Sequence, residues 1–134
     1  MALLKFIDHV AITVADVERS TEFYAALFGA ELLFDHAPNG RCLVRSVQIG
    51  GRVQLNIHQE GNGMDLVAAR PTPGSADICF RFGGSIDEAV DLLGSHDIEI
   101  IEGPSARTDN QGGAAQSVYF LDPDGNLLEL MASD

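Results

Sequence analysis

Basic residues are scarce in this chain. Only 8 Lys and Arg stand against 20 Asp and Glu, for a net charge of -12. A surface of that sign repels phosphates, which argues against DNA or RNA as a partner. It equally disfavours docking on anionic membranes. The acids are scattered rather than clustered, which reads as a well-hydrated surface. Cysteine is almost absent. Cys42 and Cys79 have neither CxxC spacing nor a dense framework around them. Both are expected to be buried free thiols, as suits a reducing cytoplasm. Long apolar runs are missing too, and none approaches the roughly 18 residues of a membrane helix. The opening Met1-Ala2-Leu3-Leu4-Lys5-Phe6 does not read as a signal peptide. No GxSxG, Walker A or GxGxxG motif occurs, so covalent catalysis on a nucleophile elbow is not expected.

What is present is a well-punctuated alternation of strands and helices. With 134 residues and 46% hydrophobic content, the chain is long enough for one domain with a sizeable core. Phe6 to Val14 is β-branched and apolar, and reads as a strand. Asp16 then offers a helix N-cap, and Gly29 a stop. Ala30 to Asp35, Leu43 to Ile49 and Arg52 to His58 read as three further strands, with Gly50-Gly51 as a hairpin turn. Residues 60–74 carry two Gly, two Pro and a final Gly74, and read as a connector.

The pattern then restarts. Asp77 to Phe82 reads as a strand, and Ser85 with Glu88 forms a capping box. Gly94 is the expected helix end. Ile98 to Glu102, Ser117 to Leu121 and Asn126 to Met131 read as strands, with Ser105 to Gln116 as a long loop. The order is βαβββ, connector, βαβββ: an α+β chain of two repeats, about 5–59 and 75–132, in one domain spanning 1–134. Residues 9–14 lie faintly over residues 77–82. One helix per half covers only one face of a four-stranded sheet, so the other faces should curve around a shared cleft.

Here the opening DHVAITVADVERSTEFYAALFG and the closing YFLDPDGNLLEL resemble the vicinal oxygen chelate superfamily. That superfamily holds glyoxalase I, methylmalonyl-CoA epimerase, fosfomycin resistance proteins, extradiol dioxygenases and bleomycin-binding proteins. ARPTPGSADICF and EGPSART are similar to a glyoxalase-domain subgroup of undefined activity. The resemblance covers nearly the whole chain and implies the fold more strongly than the reaction. It implies a divalent metal (Mn, Co, Ni, Zn, Mg or Fe) held by the first and fourth strands of each repeat. Carried over, those positions are His9, Gln54, Asp77 and Glu129. It also implies a homodimer, in which His9 joins Asp77 and Glu129 of the partner chain. Asp77 stands where metal-binding relatives usually carry His.

The residues can be weighed on their own terms. Glu129 interrupts the apolar run Leu127 to Met131, where a carboxylate is costly unless paired or bound. His9 follows Asp8 in a strand, and its plain alternative is a hydrogen-bonded rim residue. Asp77 is either a hard oxygen ligand or a strand-edge Asp after Pro73-Gly74-Ser75. Gln54, Asn56 and His58 share one strand face, which is either solvated or lines the cleft. A shifted register would put His58 with His9 and Glu129, a two-His-one-carboxylate set suited to ferrous chemistry. Arg107 in the Gly-containing loop would meet a substrate anion or sit at a hairpin tip. Tyr119 would donate a phenolic proton or simply pack.

The favoured expectation is a metal-dependent lyase or isomerase acting on a small substrate with vicinal oxygens, with Glu129 moving the proton. The alternatives are a metal-free small-molecule binding or resistance protein and an Fe(II) dioxygenase.

Overall fold

The computed structural model describes residues 3–133. The chain divides into two compact units, Met1–Pro73 and Gly74–Asp134. Unit 1 holds β1 (His9–Val14), α1 (Val17–Phe28), β2 (Glu31–His36), β3 (Val44–Ile49) and β4 (Val53–Gln59). Unit 2 holds β5 (Asp77–Arg81), α2 (Ile86–Ser95), β6 (Glu102–Thr108), β7 (Ala114–Leu121) and β8 (Leu127–Ala132). Each unit is therefore a βαβββ module, and the chain is α+β as its sequence implies.

The two sheets share one topology. Their orders are β1-β4-β3-β2 and β5-β8-β7-β6. In each, the first strand runs parallel to the fourth, and the other pairings are antiparallel. A parallel pair requires a crossover, and α1 and α2 supply it. Asp16 caps α1 by accepting from the Glu18 and Arg19 amides, and Gly29 ends it at φ 66°. The Ser85–Glu88 capping box opens α2 as expected. Gly94 does not end this helix. It runs to Ser95, and the left-handed residue is Asp97 at φ 55°. The Asp97 and Ile98 amides close back on the Gly94 and Leu93 carbonyls.

Strand alternation divides each sheet into two faces. In unit 1, Ile12, Val14, Val47, Ile49, Leu55 and Ile57 are buried together with Val17, Tyr24 and Leu27 of α1. In unit 2, Val118, Phe120, Leu128, Leu130 and Ala132 are buried together with Ile86, Ala89 and Leu93 of α2. The opposite faces carry His9, Gln54, Asn56 and His58 in unit 1, and Asp77, Cys79, Tyr119 and Glu129 in unit 2. Polar residues thus gather on the faces the helices leave open.

Two expected elements differ. Ile98 to Ile101 is not a strand; β6 starts at Glu102 and runs through what reads in sequence as a loop. Its pairing with β7 slips between Glu102 and Ser105. Gly103 lies in this slip at φ 103°, and a Cβ there would stand 2.3 Å from the Ser117 carbonyl. The close approach of β6 to β7 therefore needs glycine. The loop shrinks to a turn at 109–113, in which Asp109 Oδ1 accepts from the Gln111 and Gly113 amides at 2.9 and 2.8 Å. The small residues of β6 and early β7 hide the strand signal, because alternation needs apolar side chains to be visible.

The closing motif of the chain has a structural reason. Asp122 and Asn126 are both buried. Asp122 accepts from the Asp124 and Asn126 amides and from Asn126 Nδ2, all at 2.8–2.9 Å. Asn126 Oδ1 in turn accepts from the Ala76 amide at 2.9 Å, just before β5. This turn ties β8 to β5. Asn126→Ala removes the side-chain donor to the buried Asp122 carboxylate and leaves the Ala76 amide without its acceptor, and should cost about 2–3 kcal/mol in urea unfolding. A loss below roughly 0.5 kcal/mol would show that the turn does not anchor the sheet.

Candidate functional site

In unit 1 the open face is a polar ladder. His9 pairs with Gln54, Ala11 with Asn56 and Thr13 with His58. Ser46 Oγ donates to Asn56 Oδ1 at 2.7 Å, and Gln54 Nε2 donates to the same oxygen at 2.9 Å. That sharing orients the Gln54 amide and leaves its Oε1 without a partner among the described residues. His9 Nδ1 lies 2.9 Å from Asp8 Oδ1. A carboxylate accepts a hydrogen bond from Nδ1–H, so the Nε2 lone pair is available to a ligand.

His58 is set the other way. Asn62 Oδ1 accepts from the Met64 amide at 3.0 Å, and Asn62 Nδ2 donates to the Leu43 carbonyl at 3.2 Å. Those two backbone partners fix the amide, so its NH2 group faces His58 Nδ1 at 3.3 Å. Burial keeps the His58 pKa below its usual value, favouring the neutral ring. His9, Ala11, Thr13, Asn56 and His58 line a recess of about 470 Å3, closed on one side by residues 65–68 and Pro71.

In unit 2 the open face centres on Glu129. It is only 9% exposed, and no ion pair to a cation forms there among the described residues. Its neighbours in register are Cys79 on β5 and Tyr119 on β7. Asp77 stands opposite Leu127, two residues along the same face. His9 opposite Gln54 therefore matches Cys79 opposite Glu129, and the sequence overlay of His9 on Asp77 is two residues out of step with the pairing. Parity alone could have revealed Cys79, since residues 77, 79 and 81 share a face.

Neither cysteine lies in the core as expected: Cys42 is half-buried and Cys79 exposed. Cys79 points away from α2, which is why the core does not take it. Partial burial of its thiol and the adjacent Glu129 carboxylate push its pKa to about 11. Cys79, Arg81, Glu129 and Met131 line a cavity of about 640 Å3, with the turn at 108–111 along one side. Arg81 pairs with Asp109 at 3.4 Å and also hydrogen-bonds Ser133. The amides of Gln111 and Gly113 hold the Asp109 pKa down, with Arg81 adding to the effect.

Arg107 lies within β6 rather than in a lid loop. Its Nε donates to Tyr119 Oη at 2.8 Å, and its guanidinium sits 5.2 Å from the Tyr119 ring centre. With its oxygen accepting from Arg107, the Tyr119 hydroxyl proton is free to point elsewhere. Ser117 Oγ, on the same face, is fully buried without a partner among the described residues. No three His, Cys, Asp or Glu side chains among the described residues cluster as a metal site.

The profile of the Glyoxalase/Bleomycin resistance protein/Dioxygenase superfamily matches residues 6–130. The chain belongs to this family. It is 36% identical over 124 residues to virulence protein STM3117 of Salmonella typhimurium, covering 92% of this chain and 81% of that one. The V. Cholerae integron cassette protein VCH_CASS1 superposes at a TM-score of 0.87 with 33% identity, over 100% of this chain and 99% of that one. A single-residue mutant of the fosfomycin resistance protein FosX from Listeria monocytogenes, complexed with Mn(II) and 1S,2S-dihydroxypropylphosphonic acid, superposes at 0.68 with 21% identity. That match covers 98% of this chain and 95% of that one, and shows the shared fold.

The Cys79–Glu129 contact gives a direct test. Glu129→Gln removes the negative charge that raises the Cys79 pKa, so more thiolate forms at a given pH. Alkylation of Cys79 by iodoacetamide, followed by peptide mass spectrometry at mildly alkaline pH, should speed up about tenfold, one pKa unit. An unchanged rate would mean that Glu129 does not face Cys79.

Proposed function

We propose that this protein is a metal-dependent lyase or isomerase of the glyoxalase and epimerase type, acting on a small substrate with vicinal oxygens. The observation that carries this reading is Glu129, a carboxylate almost fully buried on an open sheet face with no salt bridge among the described residues. Such a group is costly unless something positive comes to it.

The donor chemistry fits a divalent ion. His9 offers a lone pair at Nε2 with its other nitrogen held by Asp8, and Gln54 offers Oε1. Glu129 offers a carboxylate, and Asp77 a second one on the same face. An imidazole, an amide oxygen and carboxylates suit Mg, Mn, Co, Ni, Zn or Fe. When bound, such an ion withdraws charge from substrate oxygens and acidifies the neighbouring C–H.

The chain's own groups then supply the rest. Glu129, or Asp77 two residues along the same face, takes and returns the substrate proton on carbon. Tyr119, its oxygen engaged by Arg107, donates its hydroxyl proton to a substrate oxygen, and Arg107 adds a positive charge near it. No three-ligand cluster forms among the described residues of one chain. A homodimer, in which His9 of one protomer serves Asp77 and Glu129 of the other, would complete the set. The exposed Leu3, Leu4, Phe6 and Ile7 ahead of β1 are apolar surface available for such pairing.

A ferrous dioxygenase would need His58 as a second imidazole ligand. The Asn62 amide facing His58 Nδ1 argues against that, because it places the ring proton on Nε2. A metal-free binding cleft is the remaining alternative, and Asp77 and Cys79 in the first strand of unit 2 favour it.

Metal analysis separates the two. After dialysis against Mn, Co, Ni, Zn or Fe, about one ion per chain should be retained, as expected of an open catalytic site. His9→Ala and Glu129→Ala should each lower affinity by at least about a hundredfold, the loss of a ligand. Retention of the ion by Glu129→Ala would sink the ligand assignment. Absence of any binding would leave the metal-free cleft.

A further inference from the structure

The two imidazoles on the open face of unit 1 are set in opposite senses. His9 donates a hydrogen bond from Nδ1–H to Asp8 and keeps an acceptor at Nε2. His58 faces an amide donor through Nδ1. Asn62 cannot turn over to relieve this. Its Oδ1 is taken by the Met64 amide, and its Nδ2 is opposite the Leu43 carbonyl. Turning the amide would set oxygen against oxygen and nitrogen against nitrogen.

We propose that Asn62 is a positioning residue that locks His58 in its Nε2–H form, so that His58 donates a hydrogen bond to an uncharged oxygen of a small, partly apolar ligand in the recess of unit 1. Nε2 has no partner among the described residues, so its N–H is left for a ligand. The walls of the recess indicate the rest of that ligand. Ala11, Leu66, Val67, Ala68 and Pro71 form an apolar side, while His9, Thr13, Asn56 and the acidic Asp65 set polar groups beside it. Leu66 is 91% exposed, an apolar lip with nothing against it. Asp65 and the net charge of -12 repel an anion. A ketone, ester or amide oxygen on an apolar or aromatic body fits; a carboxylate does not.

This inference goes beyond the metal reading and does not depend on it. It is tested on protein freed of metal with a chelator. Long-range 1H–15N correlation spectra of the 15N-labelled protein report the tautomer of each histidine, and His58→Phe assigns the relevant signals. His58 should be predominantly Nε2–H at neutral pH. Asn62→Asp replaces the amide donor with an acceptor and should convert His58 to Nδ1–H. The ligand half uses two probes of one shape, 2-acetylnaphthalene and 2-naphthoate. The ketone should shift the His58 ring signals and bind at least about fivefold more tightly than the carboxylate, and Asn62→Asp should weaken it by about five- to tenfold, one hydrogen bond.

A predominantly Nδ1–H ring in the unmodified protein would overturn the lock, and so would a folded Asn62→Asp variant with an unchanged tautomer. The unmodified protein decides the first point even if the variant does not fold. Tighter binding of the naphthoate, or no shift at His58 with either probe, would overturn the ligand class. Loss of metal binding in the preceding experiment would leave both results standing.

Discussion

A four-stranded sheet has two faces, and each unit of this chain has one helix to cover them. That mismatch governs the rest. The helix-covered face takes the aliphatic side chains, and nearly the whole core lies there. The uncovered face mixes polar side chains with apolar ones such as Val44, Leu121, Leu127 and Met131. Because the first strand is parallel to the fourth, residues far apart in sequence meet on that face: His9 with Gln54, Cys79 with Glu129.

Most of the fold was legible because its local signals agree with one another. Asp16, Gly29 and the Ser85–Glu88 box act through local geometry, and each caps or ends a helix as its sequence context implies, while Gly94 does not. The strands read well where large apolar residues alternate, as in β1, β4 and β8. β6 was missed because Ser105, Ala106 and Thr108 carry no alternation. It exists through hydrogen bonds to β7 and a glycine that lets the two backbones close up. Ile98 to Ile101 has the composition of a strand, yet the left-handed turn at Asp97 delivers the chain to the sheet only at Ile101, whose amide bonds the Tyr119 carbonyl.

The site was legible in part. Glu129 announced itself as a carboxylate inside an apolar run, and it is buried. Its neighbour was not legible. Which residue faces Glu129 depends on inter-strand register, and no local pattern carries that information. Register puts Cys79 there and Asp77 one step further along. Asn62 was equally hidden, since it lies in the Gly-rich stretch after β4 and acts only through contacts with Leu43, His58 and Met64. The Arg107–Tyr119 pair emerges only when β6 is a strand, for otherwise nothing holds the guanidinium beside the ring.

The parallel pairing of first and last strands also sets an order of events for a growing chain. In unit 2, β8 lies between β5 and β7, so it is the shared neighbour of both. A nascent chain that ends before Leu127 has β5 without its sheet partner and β7 with one edge bare. The turn from Asp122 to Asn126, which reaches back to Ala76, is the last piece needed to bring the earliest strand of the unit into place. Unit 2 thus depends on β8 and the turn before it for closure, and until they emerge from the ribosome its strand edges are open to the wrong partners.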